Sequence, residues 1–147
     1  MKKFLAIVLS LVVVFSLAVP CFANGYEAEI VSVTSEVLDN GVVCTTTIYE
    51  YPSAARASTR KGSAQQRYTY DGKTIAYVYL NATFTYNGST ATATSASGEH
   101  SVASGWSYSG QSTWCSGATA HLTATVSGPV SFPVSLSLTC SPSGTLS

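Results

Sequence analysis

The residues of this chain that could do chemistry are few in kind: two histidines, four cysteines, seven carboxylates, and 41 serines and threonines. A serine nucleophile needs a histidine base that a carboxylate orients in space, and Glu99-His100-Ser101 sets those three types side by side. Neighbours in sequence rarely form such a triad. Gly105-Trp106-Ser107-Tyr108-Ser109 ends in serine where the G-x-S-x-G elbow needs glycine, and so many hydroxyls produce near misses by chance. The two histidines lie 21 residues apart and the cysteines are scattered, which matches no zinc-ligand spacing, so no metal site is expected. Two of the carboxylates would serve a glycosidase only at the right separation, and a rim of solvated charges is the simpler account. No phosphate-cradling loop or dinucleotide fingerprint occurs. No cofactor is expected, and the expectation is a protein that is not an enzyme.

Two features could instead carry binding. Trp106, Tyr108 and Trp114 fall in a Gly/Ser-rich stretch, and aromatic rings on a loop or sheet face can stack on sugar rings, which would make a carbohydrate-binding module. The competing account is that Trp106 or Trp114 plugs the core between sheets. The second feature is Arg56, Arg60, Lys61 and Arg67, a basic stretch that could meet wall teichoic acid or anionic lipid. Glu50 and Asp71 flank it, so an ordinary solvated loop is the simpler reading. A formal net charge of zero argues against nucleic acid or any other polyanion held by bulk charge.

The elements that must position these residues begin after a leader. Met1-Lys2-Lys3 is cationic, and Phe4 to Val19 is an almost unbroken apolar run. Pro20 follows, then Cys21-Phe22-Ala23 with a small residue at the cleavage position. This is the layout of a secretory signal peptide, with cleavage expected after Ala23. The apolar run is shorter than the roughly 20 residues needed to span a bilayer. A lipoprotein reading with Cys21 lipidated fails on Pro20, and cleavage after Ala18 is a lesser alternative. The expected organisation is therefore a signal peptide over 1–23 and one β-sandwich domain over 24–147. Residues 24–147 carry five basic and seven acidic side chains. From Thr74 onward Glu99 is the only charged one. No second spanning run follows, so a secreted protein with no stable membrane anchor after cleavage is expected.

Asn40-Gly41, Asp71-Gly72 and Asn87-Gly88 separate β-branched and aromatic runs, and such dipeptides suit type I′ hairpin turns. The runs alternate with period two. Ala76, Val78, Leu80, Ala82, Phe84 and Tyr86 oppose Ile75, Tyr77, Tyr79, Asn81, Thr83 and Thr85. Ala118, Ala120, Leu122, Ala124 and Val126 form a second apolar set, and Val130, Phe132, Val134, Leu136 and Leu138 a third. One apolar and one Ser/Thr face is the mark of a half-buried antiparallel sheet. Lys73–Tyr86 would extend about 46 Å, so a bend or bulge near Asn81 is expected, with passage between sheets. Pro133 marks the last strand as an edge or a bulge. Ala54–Gln66 reads as a basic loop. The whole predicts an all-β fold, an antiparallel β-sandwich or flattened barrel of about seven to eight strands.

Export favours disulfides, but Cys44, Cys115 and Cys140 make an odd count after cleavage. Cys44 shares a face with Val42 and Ile48, and Cys140 continues the apolar face of the last strand. A Cys44–Cys140 bridge is the preferred pairing, with Cys115 left as a free thiol. Three unpaired thiols are the alternative.

The segments Ala82-Thr-Phe-Thr-Tyr-Asn-Gly88 and Leu138-Thr-Cys-Ser-Pro-Ser-Gly-Thr-Leu-Ser147 resemble those of a group of small exported proteins from Gram-positive bacteria of the clostridial and bacillar kind. The resemblance runs from about Arg56 to Ser147, with Trp106 at the group's tryptophan. Many members carry cysteine in a T-C-T-S pattern, where this chain has Thr92-Ala93-Thr94-Ser95. That departure removes a partner for Cys140 and leaves Cys44 or Cys115 as substitutes. The group brings no activity with it; the resemblance implies export and a β fold. The function expected is a secreted, non-enzymatic interaction module for an unknown extracellular or cell-wall ligand, a glycan among the options. A small antimicrobial or toxin-like effector is the alternative from another class.

Overall fold

The computed structural model describes residues 28–52 and 58–147. Eight strands follow one another: β1 (Glu29–Val37), β2 (Val43–Glu50), β3 (Thr59–Tyr70), β4 (Lys73–Tyr86), β5 (Ala91–Val102), β6 (Ser107–Ser116), β7 (Thr119–Ser127) and β8 (Ser131–Thr139). They form two antiparallel sheets, β1-β2-β3-β4-β5 and β6-β7-β8. Every strand pairs with its neighbour in sequence except β5 and β6, where a turn closed by Trp106 N–H donating to Ala103 O carries the chain from one sheet to the other. The fold is a meander doubled over at 103–106. The two sheets stay separate, so it is a sandwich and not a closed barrel. The leader and its cleavage site lie outside the described residues. Among the described residues no helix is long and apolar enough to cross a membrane.

Period-two alternation builds the core. Ala76, Val78, Leu80, Ala82 and Phe84 of β4 are buried, as are Ala120, Leu122, Ala124 and Val126 of β7 and Phe132, Val134, Leu136 and Leu138 of β8. The small sheet packs over β3, β4 and β5, so β1 extends past it, and all nine β1 residues are exposed. With no sheet opposite, β1 turns Ser32, Thr34 and Glu36 to the core side. Val33 and Val37 lie on the outer side, in register with Thr47 and Val43. Gln66 ties the sheets together near this open flank. Its Nε2 donates to Ser135 O at 3.1 Å, and its Oε1 accepts from the Tyr68 hydroxyl.

Several local expectations change. Only Asp71-Gly72 has positive φ at both positions, 51° and 72°, as a type I′ turn requires. At Asn40-Gly41, Leu38 N–H donates to Val42 O, giving a three-residue loop with Gly41 left-handed. Asn87 instead organises a four-residue loop, its Oδ1 accepting from Ser89 and Thr90 N–H. β4 keeps to one sheet for its whole length. Its register with β5 shifts between Thr83 and Phe84, just past Asn81, and a shift against β3 leaves Ile75 extra and buried beside Ala76. A bulge seats two consecutive residues opposite one, which is why strict alternation misplaces Ile75. Thr59–Gln66 is strand, not loop: Ser63, Ala64 and Gln66 are buried between β2 and β4. Pro133 sits on β8, an edge strand as expected, and pairs with Thr125 without a bulge.

The end of the chain closes one end of the sandwich. Thr139 and Ser147 exchange backbone hydrogen bonds, and Cys140 bridges Leu146. Leu146 is buried against Gly62. Gly144, with φ of 88°, lies against the Tyr86 ring, and Gly88 N–H donates to Pro142 O. Arg60 pairs with Glu50, donates from Nε to Gly144 O, and sits over the Tyr86 ring. The Tyr86-Asn87-Gly88 hairpin and the 138–147 terminus are thus one contact unit with a packing role.

Candidate functional site

The aromatic set read from the sequence is dispersed. Trp106 packs on Tyr70 (5.7 Å, edge-on) and Phe132 (6.5 Å), closing the end of the core opposite the C-terminal segment. Tyr108 is in register with buried Val126, so it points inward at the β5–β6 seam. There it stacks on His100 at 3.8 Å and donates to Gln111 Oε1. Trp114 is 42% exposed on the outer face of the small sheet, stacked on His121 at 5.0 Å. Residues 106, 108 and 114 therefore share no surface that one ligand could cover.

The Glu99-His100-Ser101 candidate is split by the strand that carries it. Successive side chains alternate across a sheet: His100 is in register with core residue Val78, while Glu99 and Ser101 are in register with Tyr79 and Tyr77 on the opposite face. Among the described residues no group of three or more His, Cys, Asp or Glu side chains could hold a metal ion. A hollow of about 260 Å³ lined by Ser58, Thr85, Tyr86, Asn87, Thr90 and Thr92 offers hydroxyls and an amide.

The expected cysteine pairing also changes. Cys44, Cys115 and Cys140 are all free, the first and last buried and Cys115 exposed. Cys44 is level with Tyr68 on β3. Cys140 lies near Arg60 and Glu50, and Glu50 is six residues further along β2, about 20 Å at strand rise. Two cysteines so placed cannot reach the Cα separation a disulfide needs. Burial raises the pKa of both the Cys44 and the Cys140 thiol. Of the basic stretch, Arg60 is engaged as described, Lys61 is exposed, and Arg67 lies on the outer face of β3. Arg56 falls outside the described residues.

The densest gathering of recognition chemistry is on the outer face of the large sheet. The register Thr45–Arg67–Tyr77–Ser101 makes one row across β2 to β5, and Thr47–Gln65–Tyr79–Glu99 makes the next. Tyr49, Ser63, Asn81 and Ser97 make a third. Tyr77 and Tyr79 are two residues apart on β4, with rings 6.4 Å apart and 14° from parallel. Arg67 and Gln65 flank them on β3; Ser101 and Glu99 flank them on β5. The Tyr49 hydroxyl donates to Gln65 Oε1 at 3.1 Å, which fixes the amide. Arg67 Nε is buried with no hydrogen-bond partner. Burial raises the Tyr49 and Tyr79 pKa values; for Tyr79 the neighbouring Tyr77, Tyr49 and Glu99 act in the same direction, and for Tyr49 the Arg67 charge opposes. Both phenols therefore keep their protons and remain donors at neutral pH.

Sequence reading divides β4 correctly into faces from Ala76 onward but treats the Tyr77–Tyr79 side as solvated. The signal for this site is two tyrosines on a face otherwise built of Thr and Asn. Gathering Tyr49, Gln65, Arg67 and Glu99 around them takes the strand register, which spans separations of up to fifty residues. In comparison with known proteins, the chain matches no family model, no curated protein and no solved structure.

Proposed function

We propose that this chain is a secreted, non-enzymatic β-sandwich that works as an extracellular binding module through the outer face of its large sheet. The observation that carries the reading is the parallel Tyr77–Tyr79 pair, framed by Arg67, Gln65, Glu99 and Ser101 on the side of the sheet away from the core. A face with only a solvating role needs no aromatic rings, since each leaves apolar surface in water. Export rests on the leader layout in residues 1–23.

The test is retention of the chain from Asn24 onward on particulate Gram-positive sacculi and on cellulose. The wild type should be depleted from solution by at least one of them. The double variant Tyr77→Ala/Tyr79→Ala should stay in solution, while Trp114→Ala is retained normally. Equal retention of the double variant and the wild type removes this face from the function.

A further inference from the structure

The face around Tyr77 and Tyr79 has a composition that restricts its ligand. The charges beside the tyrosine pair are Arg67 on one flank and Glu99 on the other, in adjacent rows; Lys61, on the same face, lies two rows beyond Tyr79. An anion drawn to Arg67 would meet Glu99 within two strand spacings, about 10 Å, and a cation would meet the converse. Beside the tyrosines, therefore, neither an anion nor a cation meets an uncompensated charge. What remains is a set of groups that donate and accept together: the hydroxyls of Ser97, Ser101 and Thr45, and the amides of Gln65 and Asn81. The two tyrosine rings add aromatic surface against which weakly polar C–H groups can pack. A ligand that presents hydroxyls at its edges and C–H groups on its faces, without formal charge, is a sugar.

Shape adds a second restriction. The rows lie on a broad sheet, not in a cleft, and the two rings follow one strand at the spacing of successive same-face residues. A flat, extended chain with repeating ring faces matches this surface; a coiled chain would meet it at single points. Resting on the reading of this face as the ligand-facing one, we propose that the surface formed by Tyr77, Tyr79, Gln65, Arg67, Asn81 and Glu99 binds an uncharged, β-1,4-linked glycan chain. The Tyr77 and Tyr79 rings take sugar faces, and the Gln65 and Asn81 amides with the Glu99 carboxylate take ring hydroxyls. Arg67 supplies donors from the far flank. Because the Tyr49 hydroxyl already occupies Gln65 Oε1, the Gln65 amide N–H groups are the ones turned to the ligand.

The experiment is calorimetric titration of the chain from Asn24 onward with cellohexaose and chitohexaose, with polygalacturonate as an anionic control. At least one neutral hexasaccharide should bind, and polygalacturonate should bind at least about tenfold more weakly. Tyr77→Ala/Tyr79→Ala should lose about tenfold or more in affinity, and Glu99→Gln should weaken binding without improving that of polygalacturonate to parity. Tyr77→Phe/Tyr79→Phe keeps the rings and should bind within a few-fold of the wild type, which guards against a misfolded alanine variant. If sacculi retain the protein through the tyrosines but neither cellulose nor either hexasaccharide binds it, the glycan assignment falls and the face stands. A preference for polygalacturonate also overturns the assignment. If hexasaccharides bind equally to wild type and the alanine variant, the face itself is wrong.

Discussion

Leu146 occupies the space that a side chain at position 62 would fill, and Gly62 is the residue that leaves it open. Eighty-four positions apart in the chain, the two meet because Cys140 bridges Leu146 and so folds the terminus back beneath β3. The leucine is almost fully buried, so the segment it anchors is part of the core rather than a trailing end.

Leu146→Ala should therefore destabilise the fold by about 2–5 kcal/mol, the range for removing a buried leucine and leaving a cavity. Urea unfolding followed by circular dichroism measures it. A loss below about 0.5 kcal/mol would mean that the terminus is not docked.

Alkali should weaken the fold through Tyr68. Burial, first of all, raises the folded-state pKa of this hydroxyl, and the nearby Cys44 adds to the effect. Below the ordinary tyrosine value of about 10 both folded and unfolded chains hold the proton, so stability does not depend on it. Above that value the unfolded chain releases the proton and the folded one does not, so stability falls as pH rises. Tyr49, Tyr51, Tyr79 and Tyr108 are raised by burial and act in the same direction. Tyr68→Phe should flatten part of this slope. At neutral pH it should cost about 1–3 kcal/mol, because Gln66 loses its hydrogen bond. A slope unchanged in the variant would assign the alkaline loss to other groups.

Ala93 N–H donates to Gly117 O, and Cys140 N–H donates to Ala118 O, so both residues flank the same β6–β7 turn with buried side chains. The T-C-T-S pattern of the resembled exported proteins would put cysteine at position 93. Ala93→Cys, oxidised, should form a disulfide with Cys140 and raise stability by about 2–4 kcal/mol. Peptide mapping by mass spectrometry identifies the bridge. A bridge to Cys115, or none, would break the link between this fold and that pattern.

The two tryptophans should respond oppositely to substitution. Trp114 stands on the outer face with His121, so Trp114→Ala should change stability by no more than about 0.5 kcal/mol. Trp106 closes the core against Tyr70 and Phe132, and Trp106→Ala should cost about 3 kcal/mol, the low end for a buried aromatic. Acrylamide quenching of the single-tryptophan variants gives an independent check, with the fluorescence of Trp114 the more readily quenched.

Much of this architecture is legible in the sequence because alternation is a local property. The inward sets of β4, β7 and β8 can be read residue by residue, and all of their members except the half-buried Tyr86, Ala118 and Val130 are buried in the observed core. What fails is what depends on a partner strand. Thr59–Gln66 reads as a loop because Gly62-Ser63-Ala64 lacks β-branched residues, yet small residues are what its position between β2 and β4, over Leu146, demands. Ile75 is misplaced because a bulge is a property of two strands. Cys44 and Cys140 look like partners because both are apolar-facing, a property that carries no information on height along the strand. The tyrosine face illustrates the same limit from the functional side: its residues come from β2 to β5, and only register assembles them.

The doubled meander has a kinetic consequence. Nearly all strand pairing is between sequence neighbours, so each hairpin can form as soon as its second arm exists, without waiting for distant chain. Two events escape this order: the folding over at 103–106 that brings the sheets together, and the seating of Leu146 beneath Gly62. The sheets should therefore assemble early, with lasting protection of the buried amides near Gly62 arriving last. In pulse-labelled hydrogen exchange during refolding, amides of the β3–β4 hairpin away from Gly62 should be protected before those at Ala82 and Cys140. A chain made amino-terminus first would pair its strands hairpin by hairpin, and the paired sheets would lock only once the segment around Leu146 is seated.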